Sequence, residues 1–142
     1  METARVVIDT NILYAALYSS SGASHVLMNM VRDGLIIPCI SVTLVLEYED
    51  VLTRHRNVLQ LTQADIKAFL GFIVNQAERL KIHYLWRPYL KDPNDDMVLE
   101  VAVTAGVDFI VTHNTKDFEG SDRFGIRAVT PGWFIKNYGG MI

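Results

Sequence analysis

Short apolar runs alternate with stretches of helical spacing along this chain. Val6-Val7-Ile8 is an unbroken β-branched run, and residues 35–37, 82–85, 107–112 and 126–129 are mostly apolar in the same way. Strands without polar alternation are typical of a parallel sheet that is covered on both faces. The pattern therefore predicts an α/β fold with about five parallel strands.

The spacing between these runs predicts helices over residues 12–17, 24–33, 42–55, 63–80, 97–105 and 133–138. Ser41 is a good N-cap for the third of these helices, and Thr62 with Asp65 resembles a capping box for the fourth. Gly106 follows the fifth helix as a terminating residue. The apolar positions of the third helix predict a buried side made of Val42, Val45, Leu46, Val51 and Leu52.

Composition narrows the class of protein. The chain has 142 residues, half of them hydrophobic and a fifth charged, which favours a single globular domain over residues 1–142. The apolar content also favours a homo-oligomer, with the helical stretches 26–31 and 66–80 as possible contact faces or simply core. No signal peptide or membrane-length apolar run is present, so we expect a cytoplasmic protein that does not enter a membrane. A net charge of −3 argues against binding nucleic acid by bulk charge alone.

Polar residues follow the predicted strands where each strand ends. Asp9 follows the first strand, and Asn114 and Asp117 follow the fourth. Glu47 lies on the helix after the second strand, and three acids crowd the segment 92–96. Each has an ordinary alternative as a helix cap, a turn residue or a solvated helix face. Together they predict one site at the edge of the sheet where ligands bind in open α/β folds.

Hard oxygen donors in this number favour Mg²⁺ or Mn²⁺. Such donors are offered by Asp9, by Glu47 and by the acids of the segment 92–96, and the oxygens of Asn114 and Asp117 can also reach a cation or its waters. Side chains that would orient the ligands or water are Thr10, Asn11 and Thr112. Basic residues near the acidic positions, which could contact a phosphate or be ordinary surface charge, are Arg54, Arg87, Lys91 and Lys116.

The order of these motifs resembles the PIN-domain nucleases over essentially the whole chain. The matching stretches are Asp9-Thr10-Asn11, residues 41–47, residues 92–96 running into 99–102, and Val111-Thr112. The resemblance implies a three-layer αβα sandwich around a parallel sheet and a Mg²⁺- or Mn²⁺-dependent endoribonuclease. Within the family the chain looks like the toxins of toxin–antitoxin pairs, which implies an RNA substrate and a cognate antitoxin.

The resemblance places the family's catalytic acids on Asp9, Glu47 and Asp96, so we expect these three to hold one divalent ion. The fourth acid of the family falls on Asn114, so a second ion would lie nearer Asn114 and Asp117, and Asp117 could replace the missing acid. This departure favours an alternative, a catalytically weak PIN domain that binds RNA or protein. A phosphatase that forms an aspartyl-phosphate on Asp9 fits less well, because those enzymes have a second Asp where this chain has Asn11. A dinucleotide-binding domain is disfavoured because no glycine-rich turn follows the first strand.

Overall fold

A computed structural model describes residues 3–82 and 89–138. Five strands form one sheet: β1 (Ala4–Ile8), β2 (Ile36–Ile40), β3 (Glu78–Arg79), β4 (Phe109–Val111) and β5 (Arg127–Val129). Seven helices connect or flank them: α1 (Thr10–Tyr18), α2 (Ala23–Arg32), α3 (Val42–Arg54), α4 (Arg56–Leu59), α5 (Gln63–Gln76), α6 (Pro93–Ala105) and α7 (Pro131–Tyr138). Two short 3₁₀ helices, Thr115–Phe118 and Ser121–Phe124, lie between β4 and β5.

All strand pairs are parallel, and the strand order is β3-β2-β1-β4-β5. The chain therefore builds outward from β1 to β3, then crosses to the other side of β1 to form β4. The point where the order reverses, between β1 and β4, opens a crevice at the carboxyl ends of these two strands. The three-layer α/β sandwich predicted from the sequence is confirmed.

The central strands owe their position to side chains that are apolar on both faces. Val6 and Val7 of β1 and Ile110 and Val111 of β4 have no exposed surface. Each Å² of apolar surface that these residues remove from water stabilises the fold by about 25 cal/mol. This burial fixes the sheet between two helical layers. The ends of β1 and β4 are consequently rigid supports for whatever follows them.

The structure differs from the sequence prediction at the edge of the sheet. The third strand is Glu78–Arg79, which pairs with Cys39 and Ile40, and not residues 82–85. Ile82 is not in a strand, and residues 83–85 lie outside the described part of the chain. The preceding helix, α5, ends at Gln76 and not at residue 80, because the backbone of Ala77 is extended. An edge strand of two polar residues carries no apolar run by which it could be recognised.

The buried side of α3 was also predicted wrongly in part. Val42 and Leu46 are 77% and 58% exposed, whereas Leu44, Tyr48 and Leu52 are buried. The helix is thus rotated relative to the predicted orientation, although Ser41 caps it as expected, accepting a hydrogen bond from the Leu44 N–H at 3.1 Å. The predicted capping box of α5, Thr62 with Asp65, is present.

The two stretches considered for self-association belong mainly to the core. Leu27 and Val31 of α2 and Ile66 and Ile73 of α5 are at most 2% exposed. These four residues therefore pack within one chain, while Val26 of the first stretch is 44% exposed. No helix in residues 3–82 and 89–138 has the length and apolar character needed to cross a membrane.

Candidate active site

Asp9 stands directly after β1 and begins α1. Its backbone N–H extends the sheet by donating to the carbonyl of Val111 at 2.9 Å, after which the chain turns into the helix. One carboxylate oxygen, Oδ1, accepts from the Thr10 N–H at 2.8 Å. The other, Oδ2, accepts from the Thr112 hydroxyl at 2.7 Å. With 8% of its surface exposed, this carboxylate is held in one orientation at the floor of the crevice.

Thr112 connects the end of β4 to the end of β1 through the hydrogen bonds of its hydroxyl group. It is completely buried, and its hydroxyl oxygen accepts from the Asn114 N–H at 3.1 Å and from the Asn11 amide at 3.4 Å while donating to Asp9. The side chain of Asn11 in turn accepts from the His113 N–H at 3.4 Å. The structure therefore places the three predicted orienting residues, Thr10, Asn11 and Thr112, around one carboxylate.

Glu47 reaches the crevice because α3 is anchored to the end of β1. The adjacent residue, Tyr48, is buried and donates its hydroxyl proton to the carbonyl of Ile8. This bond fixes the rotation of the helix, so that Glu47, half-buried, lines the crevice together with Asp9. Tyr48 was not among the residues predicted for the site, although a lone tyrosine on the apolar side of a helix is a common sign of a buried hydroxyl with a backbone partner.

The acidic segment at the start of α6 differs from what the family resemblance implies. Asp96 has no exposed surface, and its carboxylate accepts from the Leu90 N–H at 2.9 Å and the Tyr89 N–H at 3.4 Å. It holds the incoming loop and does not line the crevice. Asp95, one residue earlier, lines it instead, because neighbouring helical residues point about 100° apart. Asp92 caps α6 and lies in the same wall.

These residues enclose one open cleft of about 530 Å³. Its lining consists of Asp9, Thr10, Asn11, Tyr14, Glu47, Val51, His55, Asp92, Asn94, Asp95, Asn114 and Asp117. Five of these side chains are carboxylates, and no lysine or arginine of the described residues lines the cleft. We call this space the acidic cleft.

Burial and crowding raise the pKa of carboxylates in the acidic cleft. Burial and the nearby charges of Asp9 and Asp117 raise the pKa of Asp95 to about 7. Burial also raises the pKa of Asp9, partly offset by the hydrogen bonds from Thr112 and Thr10. Unpaired negative charge of this kind is costly in a folded protein unless a cation neutralises it.

The donor chemistry of the acidic cleft fits a hard divalent cation, since carboxylate and amide oxygens are the ligands that Mg²⁺ and Mn²⁺ favour. As the side chains are placed, however, no three acidic, histidine or cysteine side chains among residues 3–82 and 89–138 are grouped closely enough to enclose one ion. Asp9, Glu47 and Asp95 surround the cleft from three different elements. A cation here would be held partly through water.

The four predicted basic residues have different positions. Lys91 and Lys116 line a second cavity of about 440 Å³ that shares Asp92, Asp95 and Asp117 with the acidic cleft. Arg54 does not line either cavity and pairs with Asp50 at 3.1 Å on the surface of α3. Arg87 lies outside the described residues.

A protein-family model described as PIN domain matches residues 5–116, which is most of the chain and includes every residue that lines the acidic cleft except Asp117. The chain belongs to the PIN-domain family. A comparison with curated proteins found no match. PIN domains are generally nucleases that use divalent metals, so membership indicates a nuclease-like fold and a nucleic-acid substrate.

Within this PIN domain, the position after Thr112 and His113 carries an amide where the family resemblance implies an acid. Asn114 is exposed and lines the acidic cleft, and Asp117 lines it as well, from the first turn of the 3₁₀ helix that follows. The carboxylate of Asp117 is close enough to Asp9 to raise its pKa. The amide at 114 therefore does not leave this wall without negative charge.

Proposed function

We propose that this PIN domain is a divalent-metal-dependent endoribonuclease that cleaves RNA phosphodiester bonds. The observation that supports the proposal most strongly is the acidic cleft itself. It gathers five carboxylates at the switch point of the sheet without a lysine or arginine among the described lining residues. Such a cleft repels a phosphodiester unless a cation is bound, and attracts one when a cation is present.

The residues that would hold the cation are Asp9, Glu47 and Asp95, with Asn114 and Asp117 on the far wall. A divalent ion in such a site lowers the pKa of a coordinated water toward neutrality and stabilises charge on phosphate oxygens. We assign to Asp95 the metal-binding role that the family resemblance implied for Asp96, because the Asp96 carboxylate already accepts hydrogen bonds from the backbone N–H groups of Tyr89 and Leu90. Asp9, held through Thr112 and the Thr10 N–H, is the most rigid of the ligands.

The chain's own groups have separate tasks in cleavage. Thr112 fixes the carboxylate of Asp9, and Asn11 completes that network from α1. Glu47 faces the same space from α3 and would offer its carboxylate to the cation from that side. Lys91 and Lys116, in the neighbouring cavity, are placed to pair with phosphates beside the cleaved one.

The test is cleavage of RNA oligonucleotides with Mg²⁺ or Mn²⁺ by wild-type protein, by Glu47→Gln and by the matched control Glu49→Gln. Glu49 lies on the same helix, is exposed and does not line the acidic cleft. We expect cleavage by the wild type and the Glu49 variant and a loss of at least a hundredfold in the Glu47 variant. Equal rates for all three proteins would refute this role for the cleft.

We further propose that the protein acts in the cytoplasm as the toxin of a toxin–antitoxin pair and forms a homo-oligomer. The family resemblance supports the toxin role, and the exposed Val42 and Leu46 on α3 offer an apolar contact surface. Induced expression in a bacterial host should arrest growth, and Asp9→Asn should relieve the arrest. Normal growth with a well-expressed, RNA-cleaving wild type would refute the toxin role. Light scattering that shows only a monomer would refute the oligomer.

The second candidate function is an RNA- or protein-binding module with weak catalysis, and Asn114 is the observation that favours it. Titration calorimetry with Mn²⁺ separates the two functions. A binding module should show no heat of Mn²⁺ binding, whereas the nuclease should bind Mn²⁺ and lose that binding in Asp9→Asn.

A further inference from the structure

Two tyrosines on α1 form a stack that begins in the acidic cleft. Tyr14 lines the cleft, and Tyr18 lies one helical turn further from it. Their ring centroids are 5.9 Å apart and the ring planes are within 17° of parallel. Tyr18 is 65% exposed, and it is the one aromatic side chain among the large exposed hydrophobic residues of the described chain.

A third ring continues the arrangement on the cleft side. His55, at the end of α3, also lines the cleft and packs against Tyr14 in a T-shaped arrangement, with a centroid distance of 5.2 Å and an angle of 73°. The three rings thus run from the cleft wall to open solvent. We call Tyr18, Tyr14 and His55 the aromatic row.

A pair of tyrosines four residues apart can simply support a helix. That role would be served equally well on any exposed face of α1. It gives no reason for one ring to line a cleft rich in carboxylates and for the next ring, stacked on the first, to be largely exposed to solvent. An aromatic face beside a phosphate-binding site is a surface on which a nucleic-acid base can stack.

The cavity that shares Asp92, Asp95 and Asp117 with the acidic cleft offers a different kind of contact. The neighbouring cavity, with Lys91 and Lys116, offers positive charge but belongs to a protein whose net charge is −3. Few phosphate contacts are therefore available, and stacking on aromatic rings is the other sequence-tolerant source of affinity for a nucleic acid. The bases must be unpaired for this, because in a duplex their faces are covered by neighbouring pairs.

We propose that Tyr14 and Tyr18 form a stacking platform for unpaired bases of single-stranded RNA next to the phosphate in the acidic cleft. This inference rests on the proposed nuclease function, whose RNA substrate it specifies further. The strand would run from the aromatic row across the cleft to the lysine-lined cavity, with bases on one side and phosphates on the other.

The variants Tyr18→Leu and Tyr18→Phe test the platform. Leucine keeps an apolar side chain of similar volume and good helix propensity but removes the ring, while phenylalanine keeps the ring and removes only the hydroxyl. For a single-stranded RNA oligonucleotide with Mn²⁺, we expect kcat/KM to fall about tenfold in the leucine variant, within the usual range for one base stacked on one ring. The phenylalanine variant should stay within about twofold of wild type.

Abasic substrates locate the contact. In a set of oligonucleotides with one base removed at each position, one position near the cleavage site should slow the wild type about tenfold and leave the leucine variant unchanged. A difference between leucine and phenylalanine that persists with every abasic substrate would overturn the proposal. So would equal kcat/KM for the leucine and phenylalanine variants on the intact strand.

Binding is measured separately from cleavage in the Asp9→Asn background, by fluorescence anisotropy of the labelled single strand and of the same sequence as a duplex. Adding Tyr18→Leu should weaken single-strand binding about tenfold and leave duplex binding unchanged. Equal weakening of both, or of neither, refutes the platform. If the wild type cleaves no RNA but this tenfold difference is found, the nuclease proposal fails and the platform stands.

Discussion

The neighbouring acids Asp95 and Asp96 give the sharpest test of how the site is built, because the structure assigns them opposite roles. We predict that Asp96→Asn lowers stability and that Asp95→Asn removes cation binding. The two substitutions are chemically identical, one residue apart in the first two turns of α6. Any difference between them therefore comes from where each carboxylate lies.

The cost at Asp96 follows from its hydrogen bonds. Its carboxylate is fully buried and accepts from the N–H groups of Leu90 and Tyr89. An asparagine side chain would turn an NH₂ group toward one of these donors, leaving it without an acceptor. A hydrogen bond to a charged group contributes about 2 kcal/mol. For a chain of this size that corresponds to a fall in melting temperature of roughly 8 °C.

The effect at Asp95 has the opposite sign. Burial, together with the nearby charges of Asp9, Asp117 and Asp92, raises the pKa of Asp95, so that neutralising its carboxylate removes a desolvation cost and relieves repulsion. The carboxylate is only partly buried, and solvent screening limits the gain to about 1 kcal/mol or less. The melting temperature without metal should therefore stay the same or rise slightly. Mn²⁺ should stabilise the wild type, by about 2.7 kcal/mol at a hundred times its dissociation constant, and stabilise this variant far less.

Differential scanning fluorimetry of both variants, with and without Mn²⁺, measures all four quantities. Asp96→Asn should melt lower yet still gain stability from Mn²⁺. Asp95→Asn should melt normally and gain little. The reverse pattern, with Mn²⁺ stabilisation lost in the Asp96 variant and kept in the Asp95 variant, would refute the assignment of Asp95 to the cleft.

Three further predictions concern the same site. Thr112→Val should weaken Mn²⁺ binding in calorimetry at least tenfold, because the hydroxyl that donates to Asp9 is lost. Thr112→Ser keeps the hydroxyl and is the control. Equal Mn²⁺ affinities of the valine and serine variants would contradict the prediction. Asn114→Asp should tighten Mn²⁺ binding and lower the melting temperature of the metal-free protein, and weaker binding would argue against a cation near that wall. Because the pKa of Asp95 is raised to about 7, its carboxyl group holds a proton in the folded protein that it loses in the unfolded chain between about pH 4 and pH 7. The free energy of unfolding in urea, measured without metal, should therefore fall as pH rises through this range, and it should fall less in Asp95→Asn. A rise in the free energy of unfolding over this range would contradict the prediction.

The central strands were predictable from the sequence because their side chains are apolar on both faces and do not depend on one particular neighbour for burial. Val6-Val7-Ile8 and the run that ends at Val111 are apolar throughout, so that any compact fold covers them on both faces. The edge strand Glu78–Arg79 could not be found in this way, since it is polar and held by two residues of backbone pairing with β2. Local composition predicts buried strands better than strands defined only by their neighbour.

The site was predictable as a set of strand ends but not as a set of side-chain directions. Asp9 and the polar residues after β4 meet because parallel strands present their carboxyl ends at one edge. Which of Asp95 and Asp96 faces the cleft depends on the rotation of α6, which is fixed by packing with residues distant in sequence. The same holds for α3, where the Tyr48 hydrogen bond to Ile8 sets the direction of Glu47.

The central claim, that distant carboxylates share a divalent cation at the switch point of the sheet, is tested most directly by diffraction from crystals grown with Mn²⁺. We expect an anomalous peak in the acidic cleft, with Asp9 and Asp95 bound to the ion directly or through one water, and Asp96 still accepting a hydrogen bond from the N–H of Leu90. A saturating Mn²⁺ soak that leaves no peak in the cleft, or places the ion on Asp96 with Asp95 turned to solvent, would contradict it.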